Sequence, residues 1–146
     1  MRRIFENVVF VLVEPPGAVV DRIVPTTYID VSQYERFAFL RMVGTTDDTA
    51  VSMQVVQATT AAGANSKNVP GAALTPTVLA GTNDNKWAGV EVETRRLDIN
   101  NNFRFVAVNV AATGGENTNG AILFIGWRTT IYPVTQNAAE LVYVDG

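Results

Sequence analysis

The chain contains neither cysteine nor histidine among its 146 residues. Without thiols it can form no disulfide and no thiolate metal site. Without imidazole it lacks the commonest general base, the commonest transition-metal ligand and the usual pH switch. A pair of carboxylates is the main catalytic chemistry left open. We therefore expect a protein that is not an enzyme and that carries no cofactor and no metal.

Charge is also scarce. Charged residues make up 17% of the chain and hydrophobic residues 47%, whereas soluble domains usually hold about 25% charged residues. This balance predicts that some apolar surface is covered by other protein. The net charge is -3 and the arginines are scattered, so there is no basic face and we expect no binding to nucleic acid.

Long hydrophobic runs are absent too. The longest run near the N-terminus is "VVFVLV" at residues 8–13, far below the ~20 residues that a membrane span needs. Glu6 and Asn7 precede this run and "EPPG" ends it. We therefore expect neither a membrane span nor a secretory signal.

What the chain does contain is typical of strands and turns. Valine, isoleucine, threonine and aromatic residues occur in short runs that glycine, proline, asparagine and aspartate separate. No long segment keeps a helical period. The pattern predicts an all-β fold, an antiparallel β-sandwich or jelly-roll-like single domain over residues 1–146, with terminal arms at residues 1–30 and 136–146.

The runs place the strands along the chain. Residues 36–59 should form one hairpin that turns at 45–48, and residues 103–132 a second that turns at "TGGENTNG". The remaining strands are expected at 4–13, 18–24, 75–81 and 87–94, with a last strand or an arm at 138–144.

Residues 60–74 are small, polar and interrupted by glycine and proline, so they are expected to form a long loop. Pro76 follows within the strand at 75–81. Because proline cannot donate to a ladder, this strand should lie at a sheet edge.

The stretch "LDINNN" at residues 97–102 should reverse the chain abruptly, because asparagine and aspartate tolerate left-handed backbone angles. The next strand is apolar on both faces, which predicts a central, buried strand. The run "AILFIGWRT" is also apolar on both sides. Two-sided strands of this kind indicate oligomerisation. In the strand that follows "LDINNN", one face carries Phe103 and Phe105. The other face carries Arg104, Val106, Val108 and Val110.

Glu91 and Glu93 stand two residues apart on a predicted strand, so both face one way. Such a pair could serve glycoside hydrolysis. The alternation of polar and apolar residues favours a solvated strand face instead, with these carboxylates and Asp98 in surface ion pairs with Arg95 and Arg96.

Asp98, Asn100 and Asn102 alternate as oxygen ligands do at the start of an EF-hand loop. Phe103 occupies the place where that loop needs glycine, and the terminal glutamate is missing. A structural turn is therefore favoured over a calcium site.

Four short motifs occur between residues 34 and 135 in a strand–turn–strand order: Tyr34-Glu35, Gln57-Ala58-Thr59, Phe103-Arg104-Phe105-Val106 and Tyr132-Pro133. On these motifs the chain resembles a group of small structural proteins of tailed phages and prophages. Within that group it is similar to the head decoration (cement) proteins.

This resemblance implies a β-rich virion component, a trimer that binds the major capsid protein on the outer capsid surface and is made in the host cytoplasm. It brings no catalytic residues. Terminal arms would supply contacts, because an arm can add a strand to a neighbour's sheet. The expected interface residues are Arg2, Arg3, Ile4, Phe5, Leu141, Val142 and Tyr143.

The alternative function is a carbohydrate- or receptor-binding β-sandwich, a module of a phage tail fibre or of a secreted enzyme. Trp87, Trp127 or Tyr143 would then stack on sugars. Aromatic residues of a sandwich more often anchor a core or an interface, so an exposed row of them would favour this alternative.

Overall fold

The computed structural model describes residues 4–19, 26–46, 50–78, 84–113 and 118–129. No helix in these ranges is both long enough and apolar enough to cross a membrane. The predicted strand at 138–144 and the predicted C-terminal arm lie outside them.

In the described part of the chain, eight strands follow a single helical turn. The elements are α1 (Ile4–Asn7), β1 (Val8–Val19), β2 (Ile29–Asp30), β3 (Tyr34–Thr46), β4 (Ala50–Ala58), β5 (Lys67–Val78), β6 (Trp87–Glu93), β7 (Phe105–Thr113) and β8 (Thr118–Thr129). Two short 3-10 turns, Thr94–Arg96 and Ile99–Asn101, join β6 to β7.

The strands form two antiparallel four-stranded sheets. Sheet A has the order β1-β8-β3-β6 and sheet B the order β2-β7-β4-β5. Strand β1 pairs with β8, β2 with β7, β3 with β6 and β4 with β5. The first four strands therefore pair in reverse order with the last four, as in one long hairpin. The additional pairs β3–β8 and β4–β7 roll it into two layers. This is an eight-stranded jelly roll, which confirms the predicted antiparallel sandwich.

The core lies between the two sheets. Sheet A contributes aromatic rings: Phe124 meets Phe39 edge-on with ring centroids 5.4 Å apart, and stacks on Phe37 at 6.0 Å. All three are fully buried. Sheet B contributes smaller side chains, so large rings pack into a lining of valine and methionine, as close packing requires. The lining includes Met53, Val55, Val106, Val108 and Val110.

Strand β7 confirms the prediction of a central strand, because it lies between β2 and β4. Its valines face the core, whereas Phe105 on the opposite side is only half-buried. Arg104 precedes the strand and its side chain is 50% exposed. The valine side is thus covered by the chain's own second sheet.

Both predicted hairpins are wrong. Strand β3 belongs to sheet A and β4 to sheet B, and likewise β7 belongs to sheet B and β8 to sheet A. Each connection therefore crosses from one layer to the other. A polar turn marks where the chain reverses, but it carries no information about which sheet the next strand joins.

The first predicted strand, 4–13, begins too early and ends too early. Residues 4–7 form the helical turn α1, and β1 continues through "EPPG" to Val19. Its register with β8 shifts on both sides of Glu14. Proline is tolerated because β1 is an edge strand with bulges. Residues 8–19, placed in the predicted N-terminal arm, therefore belong to the sandwich; most of the predicted strand 18–24 lies outside the described residues.

The predicted loop at 60–74 is only half correct. Turns occupy the chain up to Ser66, and β5 begins at Lys67. The strand passes Pro70 and Gly71, where its register with β4 shifts and Gly71 has a φ of +75°. Since β5 is the outermost strand of sheet B, the predicted edge position is confirmed.

The abrupt reversal at "LDINNN" is also confirmed. Asn102 adopts the left-handed conformation, with a φ of 63°. The Asp98 carbonyl accepts hydrogen bonds from the backbone N–H groups of Asn101 and Phe103. This turn sets the direction in which the chain enters β7.

Candidate functional site

Of the predicted interface residues, the structure describes only those in α1. Ile4 is 59% exposed, and Phe5 lies in the same helical turn. Arg2, Arg3, Leu141, Val142 and Tyr143 lie outside the described residues. The arm contacts therefore stay a prediction.

The two paired carboxylates lie on the outer face of sheet A, on its edge strand β6. They share one arginine of β3: Arg36 Nη1 donates to Glu91 Oε1 at 2.8 Å, and Nη2 donates to Glu93. Arg95 Nε donates to the other oxygen of Glu93 at 2.5 Å. A cleft between Glu93 and Arg95 is lined by these polar groups, so the pair forms a surface ion-pair network.

The electrostatics of this network do not suit an acid–base pair. The hydrogen bond from Arg95 and the charge of Arg36 hold the pKa of Glu93 below its usual value, despite some desolvation. The hydrogen bond to Glu91 raises the pKa of the Arg36 guanidinium. A glycosidase acid needs a raised carboxyl pKa. The arrangement fits the structural interpretation of these residues.

The Asp98 carboxylate, the first residue of the calcium-like pattern, accepts hydrogen bonds on both of its oxygens. Its Oδ2 accepts from Lys67 Nζ at 2.5 Å, and its Oδ1 accepts from Asn101 Nδ2 at 2.8 Å. These hydrogen bonds, that from Lys67 first, lower its pKa. Within the described ranges no three acidic side chains come together as metal ligands.

The outer face of sheet A carries apolar side chains in several adjacent rows. The register sets Leu12, Leu123 and Leu40 in one row across three strands, and Phe10, Ile125 and Ala38 in the next. Toward one end, Leu12 is 48%, Met42 43% and Trp87 70% exposed. An apolar face of this kind marks an interaction surface more often than a solvated one. Its large apolar members are Phe10, Leu12, Leu40, Met42, Trp87, Leu123, Ile125 and Trp127.

An apolar groove extends this face at the end near Met42. Glycine allows the strands to approach closely here: a Cβ on Gly120 would lie 2.4 Å from the Met42 carbonyl oxygen. Small and apolar residues around it would admit a protruding apolar side chain of a partner. The groove is lined by Pro16, Gly17, Met42, Val43, Gly44, Gly120 and Ala121.

The two tryptophans do not form a row. Trp87 lies opposite Met42 and Trp127 lies opposite Arg36. These positions are separated by six residues of β3, or roughly 20 Å. The exposed row of aromatics that would favour sugar stacking is therefore absent for this pair, although Trp87 alone is well exposed.

Two charged side chains in the core escaped the sequence analysis. Arg41 is fully buried and Glu14 is 6% exposed, and both lie opposite Ile122, one on either side of it, on the inner face of sheet A. The position of Arg41 could have been found from the two-residue period, since Arg41 shares the parity of Phe37 and Phe39. That of Glu14 could not, because the register shift between Leu12 and Glu14 turns Glu14 to the opposite face from Leu12.

The outer face of sheet A was likewise not predicted as a continuous surface. The signal was present, because residues 8–12 and 37–43 are mostly apolar at both even and odd positions. What could not be read was that these two segments both border β8.

Comparison with known proteins adds little. No protein-family model and no curated protein matches the chain. Among solved structures the chain is similar to one from "Bacillus endospore appendages form a novel family of disulfide-linked pili", with 14% sequence identity and a TM-score of 0.46, over 86% of this chain and 91% of that one. A likeness at this level carries no argument about function.

Proposed function

We propose that this chain is a virion structural protein: a decoration protein that binds the outer surface of a tailed-phage head and stabilises it through many modest contacts. The observation that carries the proposal is the apolar outer face of sheet A, with Leu12, Met42 and Trp87 exposed together. The resemblance of residues 34–135 to decoration proteins points the same way. On this proposal the partner is the major capsid protein, and the protein is made in the host cytoplasm.

The mechanism needs rigidity and repetition rather than chemistry. The stacked phenylalanines and the two-layer core hold the outer face of sheet A in a fixed shape, so little conformational entropy is lost on binding. Burying the exposed part of Leu12 or Met42 would contribute about 1 kcal/mol each. A contact of that size is weak alone, but the symmetry of a capsid, together with the proposed homotrimer, multiplies it into avidity.

The ion pairs at the other end of the face support the same role. Because Arg36 and Arg95 neutralise Glu91 and Glu93, this corner adds polar contacts without a net repulsive charge. A polar rim beside an apolar centre is the usual anatomy of a protein–protein interface.

The proposal is tested by co-sedimentation with empty heads of the phage that encodes the chain. The wild type should saturate the heads at a fixed stoichiometry. Met42→Glu should weaken binding at least about tenfold, because it places a charge within the apolar part of the contact. Ile99→Glu is the matched control, since Ile99 is also exposed, at 56%, but lies outside sheet A.

Thermal unfolding of both variants shows whether they remain folded. Equal head binding by Met42→Glu and Ile99→Glu would refute the assigned surface, and no binding by folded wild type would refute the capsid role.

A second function keeps one observation in its favour. Trp87 is 70% exposed, and a solvent-facing indole can stack on a sugar ring. The carbohydrate- or receptor-binding alternative predicts that a glycan quenches tryptophan fluorescence and that Trp87→Ala abolishes the quenching. Screening the protein against a glycan array with this variant as control distinguishes the two functions.

A further inference from the structure

The two sheets have four edges among the described residues, formed by β1, β6, β2 and β5. Three of them carry features that prevent another strand from pairing. Strand β1 contains Pro15 and Pro16 and two register shifts, and β5 contains Pro70 and Pro76 and two register shifts. Strand β2 has only two residues.

Strand β6 has none of these features. Its seven residues contain no proline, and it pairs with β3 without a register shift. The charges of Glu91 and Glu93 would normally protect an edge, but both are bound by arginine. This strand is therefore able to accept another one.

The backbone groups at this open edge can be identified. Val43 N–H donates to the Lys86 carbonyl at 2.8 Å, so this pair is hydrogen-bonded. Hydrogen-bonded and non-bonded pairs alternate in an antiparallel ladder. The backbone N–H and C=O groups of every second residue of β6 therefore bond to β3, and those of the other residues point away from β3. The outward-pointing residues are Trp87, Gly89, Glu91 and Glu93.

From this geometry we infer that β6 pairs antiparallel with β6 of a second copy, about a two-fold axis at Val90. Trp87 then lies opposite Glu93 of the partner subunit, and Gly89 opposite Glu91 of the partner subunit. All four outward-pointing residues form hydrogen-bonded pairs. The result is a continuous eight-stranded sheet across two copies, a form of strand addition.

Two carboxylates set directly opposite each other still repel even when each has an arginine partner, so charge favours one register. A shift of two residues in one direction sets Glu91 opposite Glu91 of the partner subunit. A shift of two residues in the other direction leaves Glu93 without an opposite residue in β6 of the partner subunit. Like charges directly opposite each other destabilise a sheet. The register centred on Val90 has the longest overlap and sets no glutamate opposite another, so a second copy of β6 fits along the whole edge.

The pairing also accounts for Trp87. Within each copy, Met42 lies opposite Trp87 and Arg36 lies opposite Glu93. The pairing would therefore set Met42, Trp87, the partner's Glu93 and the partner's Arg36 side by side in one row across the outer face. The indole would then pack beside an ion pair instead of facing water, where a guanidinium can contribute a cation–π contact.

This inference is independent of the proposed function, although it would enlarge the surface that the function uses. Four strands about 4.8 Å apart and seven residues of about 3.3 Å cover roughly 400 Å². Two copies joined edge to edge keep their outer faces on the same side and reach the ~800 Å² per partner of a typical stable interface. A two-fold contact closes on itself, so it is separate from any contact that builds the proposed trimer.

Sedimentation equilibrium tests the pairing. Trp87→Glu sets glutamate opposite Glu93 of the partner subunit at both ends of the paired strands. We expect the dissociation constant of the two-fold contact to rise at least about tenfold and the mass of the assembly to halve at a fixed concentration. Ile99→Glu, which adds the same charge away from β6, should leave the mass unchanged. If the two variants sediment alike, or if the wild type forms no even-numbered assembly, the inference fails.

A cysteine pair tests the register and does not depend on affinity. The chain has no cysteine of its own, so Trp87→Cys and Glu93→Cys can be made separately and mixed under mild oxidation with diamide. Opposite residues of a hydrogen-bonded pair lie about 5.5 Å apart at Cα, within the range of a disulfide. Cross-linking should occur in the mixture and in neither variant alone. No cross-link in the mixture, or cross-linking of a single variant, would overturn the register.

Discussion

Phe124 lies at the centre of the aromatic core. Its ring contacts those of Tyr34, Phe37 and Phe39 at centroid distances of 5.8, 6.0 and 5.4 Å, and it is fully buried. Phe124→Ala should therefore lower the free energy of unfolding by about 3–5 kcal/mol. Phe105→Ala should cost clearly less, because Phe105 is only half-buried. Urea denaturation of the two variants measures both values, and equal costs would contradict this view of the core.

The carboxyl group of Glu93 allows a second measurement at the same scale. The hydrogen bond from Arg95 contributes most to the lowered pKa of Glu93. Arg95→Ala should therefore bring this pKa back toward its usual value of 4.5. Because the folded-state pKa is depressed, the stability that this carboxylate contributes is present above its unfolded pKa. It is lost as the pH falls through the folded value. Carbon-detected NMR titration of the two proteins would show the shift, and an unchanged pKa would rule out the assigned partner.

Single residues also show which contacts can be predicted from the sequence. The left-handed Asn102 and the surface ion pairing of Glu93 with Arg95 could be predicted, because each depends on neighbours a few residues away. The pairing of Glu91 with Arg36 could not, since these residues are 55 positions apart. The same holds for Asp98 and Lys67, which meet only through the fold.

At the scale of the strands, the prolines were misleading. The prolines in "EPPG" and in the predicted loop suggested that no strand passes through these positions, yet β1 and β5 both continue through them. Proline forbids a central ladder but not an edge with bulges. Pro76 predicted an edge strand correctly for β5, whereas the outermost position of β1 is known only from the sheet order.

A close approach between strands gives a prediction at this scale. Gly17 and Gly120 lie opposite each other in the β1–β8 pair. A Cβ at Gly120 would meet the Met42 carbonyl oxygen, whereas a Cβ at Gly17 has nothing within 4 Å. Gly120→Ala should cost about 1–3 kcal/mol, and Gly17→Ala should change stability by less than about 0.5 kcal/mol. Thermal unfolding measures both, and a neutral Gly120→Ala would mean that the strands can move apart.

At the scale of the whole molecule, the topology explains why the predicted hairpins failed while the fold class was correct. Nested pairing joins β1 to β8 and β2 to β7, so the contacts that define the sheets connect opposite ends of the chain. Composition and alternation predict that strands exist and that two layers bury them. They do not predict which strands become neighbours, because that choice depends on the packing of all eight.

The same topology produces the surface on which the proposed function depends. Strands β1, β8, β3 and β6 come from distant parts of the chain, and together they set apolar side chains in rows on the outer face of sheet A. Apolar residues on both faces of these strands are explained on one side by the core. On the other side, the proposed capsid contact would cover them.

Cryo-electron microscopy of empty phage heads incubated with the wild-type protein tests that contact most directly, because it shows which surface of the protein meets the shell. We expect ordered density at every equivalent capsid position, with the face that carries Leu12 and Met42 turned toward the coat protein. Bare heads, or a bound protein whose face of sheet A points into solvent, would contradict it.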